Sequence, residues 1–180
     1  MVKGRMIVIS GSPGTGKTTI ARIMAEESVM KKSVHMHTDD FYDFLVKGSI
    51  PPYLPESHEQ NRIVIEAFLQ AAKRYADGGY DVIVDGVVGP WLLEPWQELA
   101  AQGYEIHYLI LRASKQETMR RAIARTKLDR PTNEAIVTAM WKQFCEVGDY
   151  ERHVVETDAF SVRETVSKVQ EIVASRAVLL

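Results

Sequence analysis

Eight residues constrain this chain more than any others. Gly11-Ser12-Pro13-Gly14-Thr15-Gly16-Lys17-Thr18 satisfies G-x-x-x-x-G-K-[ST] at every fixed position. The run Arg5-Met-Ile-Val-Ile-Ser10 before it reads as a strand, and Thr19-Ile-Ala-Arg-Ile-Met-Ala25 after it reads as a helix. That strand–loop–helix setting makes the pattern a phosphate-binding loop rather than a glycine-rich turn. The glycines let the chain curl until successive N–H groups face one anion, and the helix N-terminus adds partial positive charge. Lys17 is expected on the β- and γ-phosphates, and the Thr18 hydroxyl on Mg²⁺. Gly11, Ser12, Pro13, Gly14, Thr15, Gly16, Lys17 and Thr18 are therefore the expected nucleotide contacts, with Thr19 as a further hydroxyl near the α-phosphate or simply the helix's first turn.

The rest of the chain reads as α/β. Apolar, β-branched runs at 5–10, 33–37, 80–88, 104–111 and 153–157 alternate with helical patterns, which predicts a parallel sheet built from βαβ units. Helices are expected over about 17–30, 57–77, 95–102, 115–127 and 132–147, and after Ser161. Helix 57–77 shows Ile63, Ala67, Ala71 and Tyr75 at four-residue spacing, and Gly78-Gly79 stops it. Ser114 with Glu117, and Ser161 with Glu164, form capping boxes. Ile136, Met140 and Phe144 are assigned to the core, as is the single cysteine, Cys145. At 180 residues one domain is expected over 1–180, and nothing marks a linker or a repeat. No apolar run reaches spanning length and the N-terminus has no signal-peptide pattern, so a cytoplasmic protein without membrane contact is expected. Oligomeric state is not readable.

Candidate chemistry clusters at strand ends, where open α/β sheets bind ligands. His35-Met-His37 runs into Thr38-Asp39-Asp40, which places two carboxylates there. Transfer of a phosphoryl group to an alcohol needs a carboxylate to orient the hydroxyl and take its proton. Asp39 is the candidate for that role, with Asp40 as the alternative or as a substrate contact, and either is also a good helix cap. His35 and His37 are read as ordinary strand histidines, because no third metal ligand is evident. Asp81-Val-Ile-Val-Asp85-Gly86 is an apolar strand ending in Asp, the pattern of a carboxylate that holds Mg²⁺ or its water. Val88 and Trp91 beyond it are candidate walls of an acceptor pocket. The irregular stretch 46–56, with its three prolines, is either a connection or a binding loop.

Charge is uneven. The net charge of −2 argues against a surface for long nucleic acid, yet residues 112–130 hold five arginines and two lysines against Glu117 and Asp129. With so few acids to pair them, Arg121, Arg125 and Arg130 are read as lid arginines over about 114–131 that neutralise the transferring phosphoryl group. Arg120 competes with Arg121. The loop after the last strand, Glu156-Thr157-Asp158, is expected beside the base. No Asn-Lys-x-Asp run exists to select guanine, so ATP is the expected nucleotide.

Gly11–Thr18, Asp39-Asp40, Asp85-Gly86, the strand Tyr108–Arg112 with its arginine-bearing lid, and Glu156-Thr157-Asp158 occur in an order that resembles the small P-loop kinases of the shikimate kinase, gluconate kinase and chloramphenicol phosphotransferase group. The resemblance spans essentially the whole chain. It implies a P-loop NTPase three-layer sandwich with a five-stranded parallel sheet of order 2-3-1-4-5 and a helical lid. It also implies ATP with Mg²⁺ as cofactors, and Asp39 on the acceptor hydroxyl. The acceptor-binding motifs of shikimate kinase are absent, and loop 46–56 does not match gluconate kinase, so the resemblance leaves the small-molecule acceptor open. A polynucleotide, nucleoside or sugar-nucleotide kinase is an alternative acceptor class. A nucleotide-binding switch or ATPase without an acceptor is a third reading, against which stands the lack of any added partner domain.

Overall fold

The computed structural model describes residues 3–123 and 130–180. Five strands, β1 (Arg5–Ser10), β2 (Ser33–His37), β3 (Asp81–Asp85), β4 (Glu105–Arg112) and β5 (Val154–Glu156), form one parallel sheet in the order β2-β3-β1-β4-β5. The helices are α1 (Lys17–Glu26), α2 (Asp39–Asp43), α3 (His58–Asp77), α4 (Glu94–Ala101), α5 (Lys115–Ile123), α6 (Arg130–Gln143) and α7 (Val162–Ser175). Because strand side chains alternate between faces, each central strand feeds two cores. Met6, Val8, Val82, Val84, Ile106, Tyr108 and Ile110 pack with Phe68 of α3, Trp96 of α4 and Phe144. Ile7, Ile9, Ile83, Leu109, Leu111 and Val155 pack with Ile20 of α1 and Val166 and Val169 of α7. Helices on both faces of a parallel sheet make the three-layer α/β sandwich of P-loop NTPases.

Several boundaries differ from expectation for identifiable reasons. β3 stops at Asp85 because the next backbone groups are engaged elsewhere: Val88 N–H donates to Ser10 Oγ, and Val88 C=O accepts from Ser10 Oγ and the Tyr108 hydroxyl. α1 ends at Glu26, before Ser28, whose hydroxyl turns inward to donate to Asp81. On α3 the four-residue row identified the helix but not its buried face. Ile63 and Tyr75 are 55% and 42% exposed, while Val64, Ile65, Phe68, Leu69, Ala72 and Ala76 are buried. A one-residue offset is about 100° around a helix, enough to exchange faces. Phe144 is core as expected, whereas Cys145 is only half-buried, its thiol donating to Trp141 O. None of the described helices is long and apolar enough to cross a membrane.

The capping box at Ser161 is complete: its side chain accepts from Glu164 N–H and Glu164 accepts from Ser161 N–H. At Ser114 only half forms. Its hydroxyl accepts from Glu117 N–H, but its own N–H is taken by the Asp158 carboxylate. Ser161→Ala should therefore cost about 1 kcal/mol of stability, read as a lower urea midpoint at unchanged slope. An unchanged midpoint would remove the cap from the account of α7.

Candidate active site

The phosphate loop is built to present backbone. Gly11, Gly14 and Gly16 all lie at positive φ, +138°, +87° and +92°. Gly16 is the N-cap of α1 and no side chain caps it, so the first-turn N–H groups face outward for an anion. The loop is tied from within: Ser12 C=O accepts from Thr15 Oγ1 and from the buried Lys17 Nζ, each at 2.9 Å. A nucleoside triphosphate fits this arrangement, since its negative charge meets oriented N–H groups and an ammonium.

Asp85, wholly buried at the end of β3, gathers three partners. Thr18 Oγ1 donates to its Oδ2 at 2.6 Å, His35 Nε2 lies 2.6 Å from Oδ1, and His37 Nδ1 lies 3.1 Å from Oδ2. His37 Nε2 is 3.4 Å from Asp39 Oδ2. With a carboxylate at each ring nitrogen, His37 needs a proton on both and is an imidazolium. Its pKa is accordingly raised to about 10, by Asp39 first and then by Asp85. Burial pushes the Asp85 pKa up, but the bonds from His35, His37 and Thr18 outweigh it and hold the group well below the carboxylate range. Burial likewise acts upward on Asp39 and is outweighed by His37 and, at longer range, Lys17. His35 and His37 are thus not idle strand residues; they position two carboxylates. The signal was their two-residue spacing on a strand that ends at His37, two residues before Asp39. Thr18 and Asp85 are the residues that would hold Mg²⁺, the oxygen-rich pair such an ion requires.

Gly86 explains how β2 and β3 close on each other. A Cβ there would lie 1.8 Å from Thr38 Oγ1, so only glycine admits Thr38 at the mouth of the site. Thr38 starts α2, which places Asp39 and Asp40 in the first helical turn, where carboxylates face the positive end of the helix.

Asp39, Pro13 and Thr38 are among the residues that line a cavity of about 970 Å³. The proline-rich stretch forms its opposite wall through Ser49, Pro52, Tyr53, Leu54 and Pro55, which favours the binding-loop reading. Residues near the start of α3 pin that stretch. Gln60 both donates to Ile50 C=O and accepts from Ile50 N–H, Ser57 Oγ donates to the Pro52 and Leu54 carbonyls, and Asn61 Nδ2 donates to Pro52 C=O. Trp91 lines the cavity as expected, 49% exposed and tilted against Phe144. Val88 does not: it is buried in the core with its backbone held by Ser10 and Tyr108, and its neighbour Val87 takes the wall. Ile136 and Met140 are half-buried lining residues rather than core, and Val137 is the buried residue of that turn. Asp40 is exposed and outside the lining; Asp43, not singled out by the sequence, is within it. Tyr42 also lines it, its phenol pushed up to about 12 by burial and by Asp39, so it remains a donor.

A second cavity of about 240 Å³ lies across the phosphate loop, between Thr15, Gly16 and Thr19 on one side and Thr157, Phe160 and Val162 on the other. Arg121 lines it. The loop after β5 therefore borders the phosphate loop. The arginines are less bare than their sequence suggested. Glu117 binds Arg120 through two bonds and Arg121 through one, while Arg112 pairs with Glu151 and Glu156 from distant elements. Arg125 and the side chain of Arg130 lie outside the described residues.

A family model described as an AAA domain matches residues 7–142. The chain belongs to that AAA-domain family. Among curated proteins, this AAA-domain chain is 26% identical over 190 residues to a guanylate kinase of Clostridium tetani, covering 97% of the chain and 88% of the relative. Among solved structures it superposes on the Mycobacterium tuberculosis APS kinase CysC bound to AMPPNP and APS with TM-score 0.71 at 16% identity, covering 97% of the chain and 99% of that structure. A gluconokinase from Sinorhizobium meliloti gives TM-score 0.66 at 19% identity, with 98% and 94% covered. The fold is that of the small P-loop kinases.

The His37 pairing has a pH signature in the nucleotide-free protein. A raised histidine pKa adds stability that is complete below the ordinary value of 6.5 and lost as pH climbs through about 10. Ring ¹⁵N shifts should report a doubly protonated His37 at pH 8, and Asp39→Asn should move its titration toward the ordinary range. A His37 that titrates normally in the parent protein would break the proposed chain of charges.

Proposed function

We propose that this protein is an ATP-dependent phosphotransferase that moves the γ-phosphate of ATP to a hydroxyl of a small-molecule acceptor. The observation that carries the reading is the meeting of two features in one cavity: Asp39 and Pro13 of the phosphate loop both line it. A phosphoryl donor on the loop and an alcohol in the cavity would then face each other across one carboxylate.

ATP would lie with its phosphates on the N–H groups of the loop and of α1, and its base in the smaller cavity. Mg²⁺, which Thr18 and Asp85 would hold, would spread the phosphate charge. The acceptor oxygen attacks Pγ, the bond from Pγ to the ADP oxygen breaks, and the hydroxyl proton passes to Asp39. A carboxylate with a lowered pKa is a weak base, which suits phosphoryl transfer: its transition state is loose and the proton leaves late, so orientation matters most. His37 holds Asp39 in place and ionised. Lys17 would neutralise charge on the phosphates, and Arg121, once released from Glu117, would add to it, with Arg125 and Arg130 as the remaining lid candidates.

A nucleoside monophosphate acceptor is the second reading, favoured by the name of the guanylate kinase relative. Coupled ADP release with MgATP, followed by mass spectrometry of the product, tests both across sugars, sugar acids, nucleosides, nucleoside monophosphates, and aminoglycoside and phenicol alcohols. Stimulation by one class with its phosphorylated product supports phosphotransfer; a basal rate that no class raises speaks for a nucleotide-dependent switch.

Lys17→Met should abolish ADP formation while leaving the thermal midpoint nearly unchanged. Asp39→Asn should lower turnover by about 10²–10⁴-fold with ATP affinity little altered, as expected for loss of a general base. Full turnover in Asp39→Asn would remove that assignment. Full turnover in both Arg121→Ala and Arg125→Ala would remove the lid arginines.

A further inference from the structure

The larger cavity has a charge character that bears on its occupant. Its described lining residues include no lysine or arginine, and His58 is its one basic side chain. Two carboxylates, Asp39 and Asp43, lie four residues apart on α2 and so share a face. Asp39 is engaged by His37. Asp43 has no hydrogen-bond or ion-pair partner among the described residues, and its residue is exposed to the cavity. Some surface carboxylates elsewhere in the fold pair with cations, as Glu59 and Glu66 do with Arg62, Asp77 with Lys73, and Glu117 with Arg120 and Arg121, while Asp43 stays open to a ligand. Lys17, near enough to lower the Asp39 pKa, directs its ammonium at Ser12 C=O on the phosphate side. The remaining wall is aromatic and apolar: Tyr42, Tyr53, Leu54, Trp91, Ile136 and Met140.

An anionic acceptor is poorly served by such a cavity. Phosphate and carboxylate groups are recognised by arginine forks, lysines or clustered N–H groups, and leaving them beside the unpaired Asp43 carboxylate adds like-charge repulsion to lost hydration. Hydroxyls and ammonium groups donate to carboxylates, and ammonium also gains over tyrosine and tryptophan faces. The cavity volume of about 970 Å³ lies at the upper end of ligand pockets, roughly 300–1,000 Å³. That leaves room for a body much larger than the reacting alcohol.

We infer that the acceptor is an alcohol with no acidic group, uncharged or amine-bearing, with an aromatic or apolar body, and that Asp43 selects it by holding a donor group while Asp39 faces the reacting hydroxyl. This rests on the phosphotransfer reading and chooses among its acceptors: it selects against nucleoside monophosphates and sugar acids, and for nucleosides, amino sugars and aromatic alcohols.

The test is equilibrium binding, which needs no turnover. Isothermal titration calorimetry on the full chain compares matched probes that share a scaffold and differ in charge: phenylalaninol with phenyllactate, cytidine with CMP, and glucosamine with gluconate. The uncharged or amine-bearing member should bind at least about tenfold tighter in each pair for which binding is detected. Asp43→Asn should weaken phenylalaninol by about fivefold or more while leaving cytidine within twofold, and Asp43→Lys should favour phenyllactate. Equal or tighter binding of the anionic members, or no binding of any uncharged or amine-bearing member at millimolar concentration, overturns the inference. Failure of the phosphotransfer reading would register separately, as no acceptor-stimulated ADP release in a protein whose binding preference is still measurable.

Discussion

The buried carboxylate of Asp85 is the joint on which the site depends. A charge in that position is tolerated only if its partners are close and well aimed, and breaking one side of a buried pair costs about 3–5 kcal/mol. Its partners come from different elements: Thr18 from the first turn of α1, and His35 and His37 from β2. One side chain therefore fixes the helix that carries the phosphate loop relative to the strand that delivers Asp39. His37 then extends the constraint outward, because a ring shared between Asp85 and Asp39 cannot turn without leaving one of them unpaired. Asp39 is 60% exposed on its side chain, yet it is held from behind by charge rather than by packing. A residue that must meet a solute and still keep its orientation needs that combination.

The backbone around Asp85 is equally committed. Gly86 lets Thr38 come within contact of the β3 end, and Val88 is locked by Ser10 and by the buried Tyr108. Farther out, the proline-rich loop has few backbone bonds of its own, so its position depends on Gln60, Asn61 and Ser57 at the start of α3. Proline supplies stiffness without donors, and α3 supplies the donors. The cavity wall is thus a loop in shape and part of a helix in support.

Much of this was legible in the chain. The phosphate loop declares itself because its glycines are needed at fixed spacings, and strand order follows once the parallel βαβ units and the family resemblance are accepted. That Asp85 and Asp39 lie at the C-terminal edge of the sheet was readable, because apolar strands end at or just before them. The misses have a common cause: they concern which groups meet across the sheet, which local pattern does not encode. The histidines of β2 looked idle because Asp85 lies fifty residues away. Arg112 looked unpaired because Glu151 and Glu156 arrive from later elements, and Arg120 and Arg121 looked bare because one acid, Glu117, holds both. Val88 was chosen for its place after an apolar strand, and lost it to Val87 because a Ser10 hydroxyl turned the chain by one residue. Asp43 carried no motif at all, and only α2 brings it to the face that Asp39 occupies.

The two halves of the site differ in what specifies them, and this has a consequence for how acceptor choice is encoded. The phosphate half is made largely of backbone N–H groups held by glycine conformations, so few side-chain changes there are compatible with the turn. The acceptor half is made of side chains from α2, the proline-rich loop, the Trp91 turn and α6, none of which supports Asp85. Substitutions in that half can alter charge and size without loosening the phosphate loop. The charge of α2 and the rings of Tyr53 and Trp91, rather than the phosphate loop, set the character of the cavity that Asp39 lines.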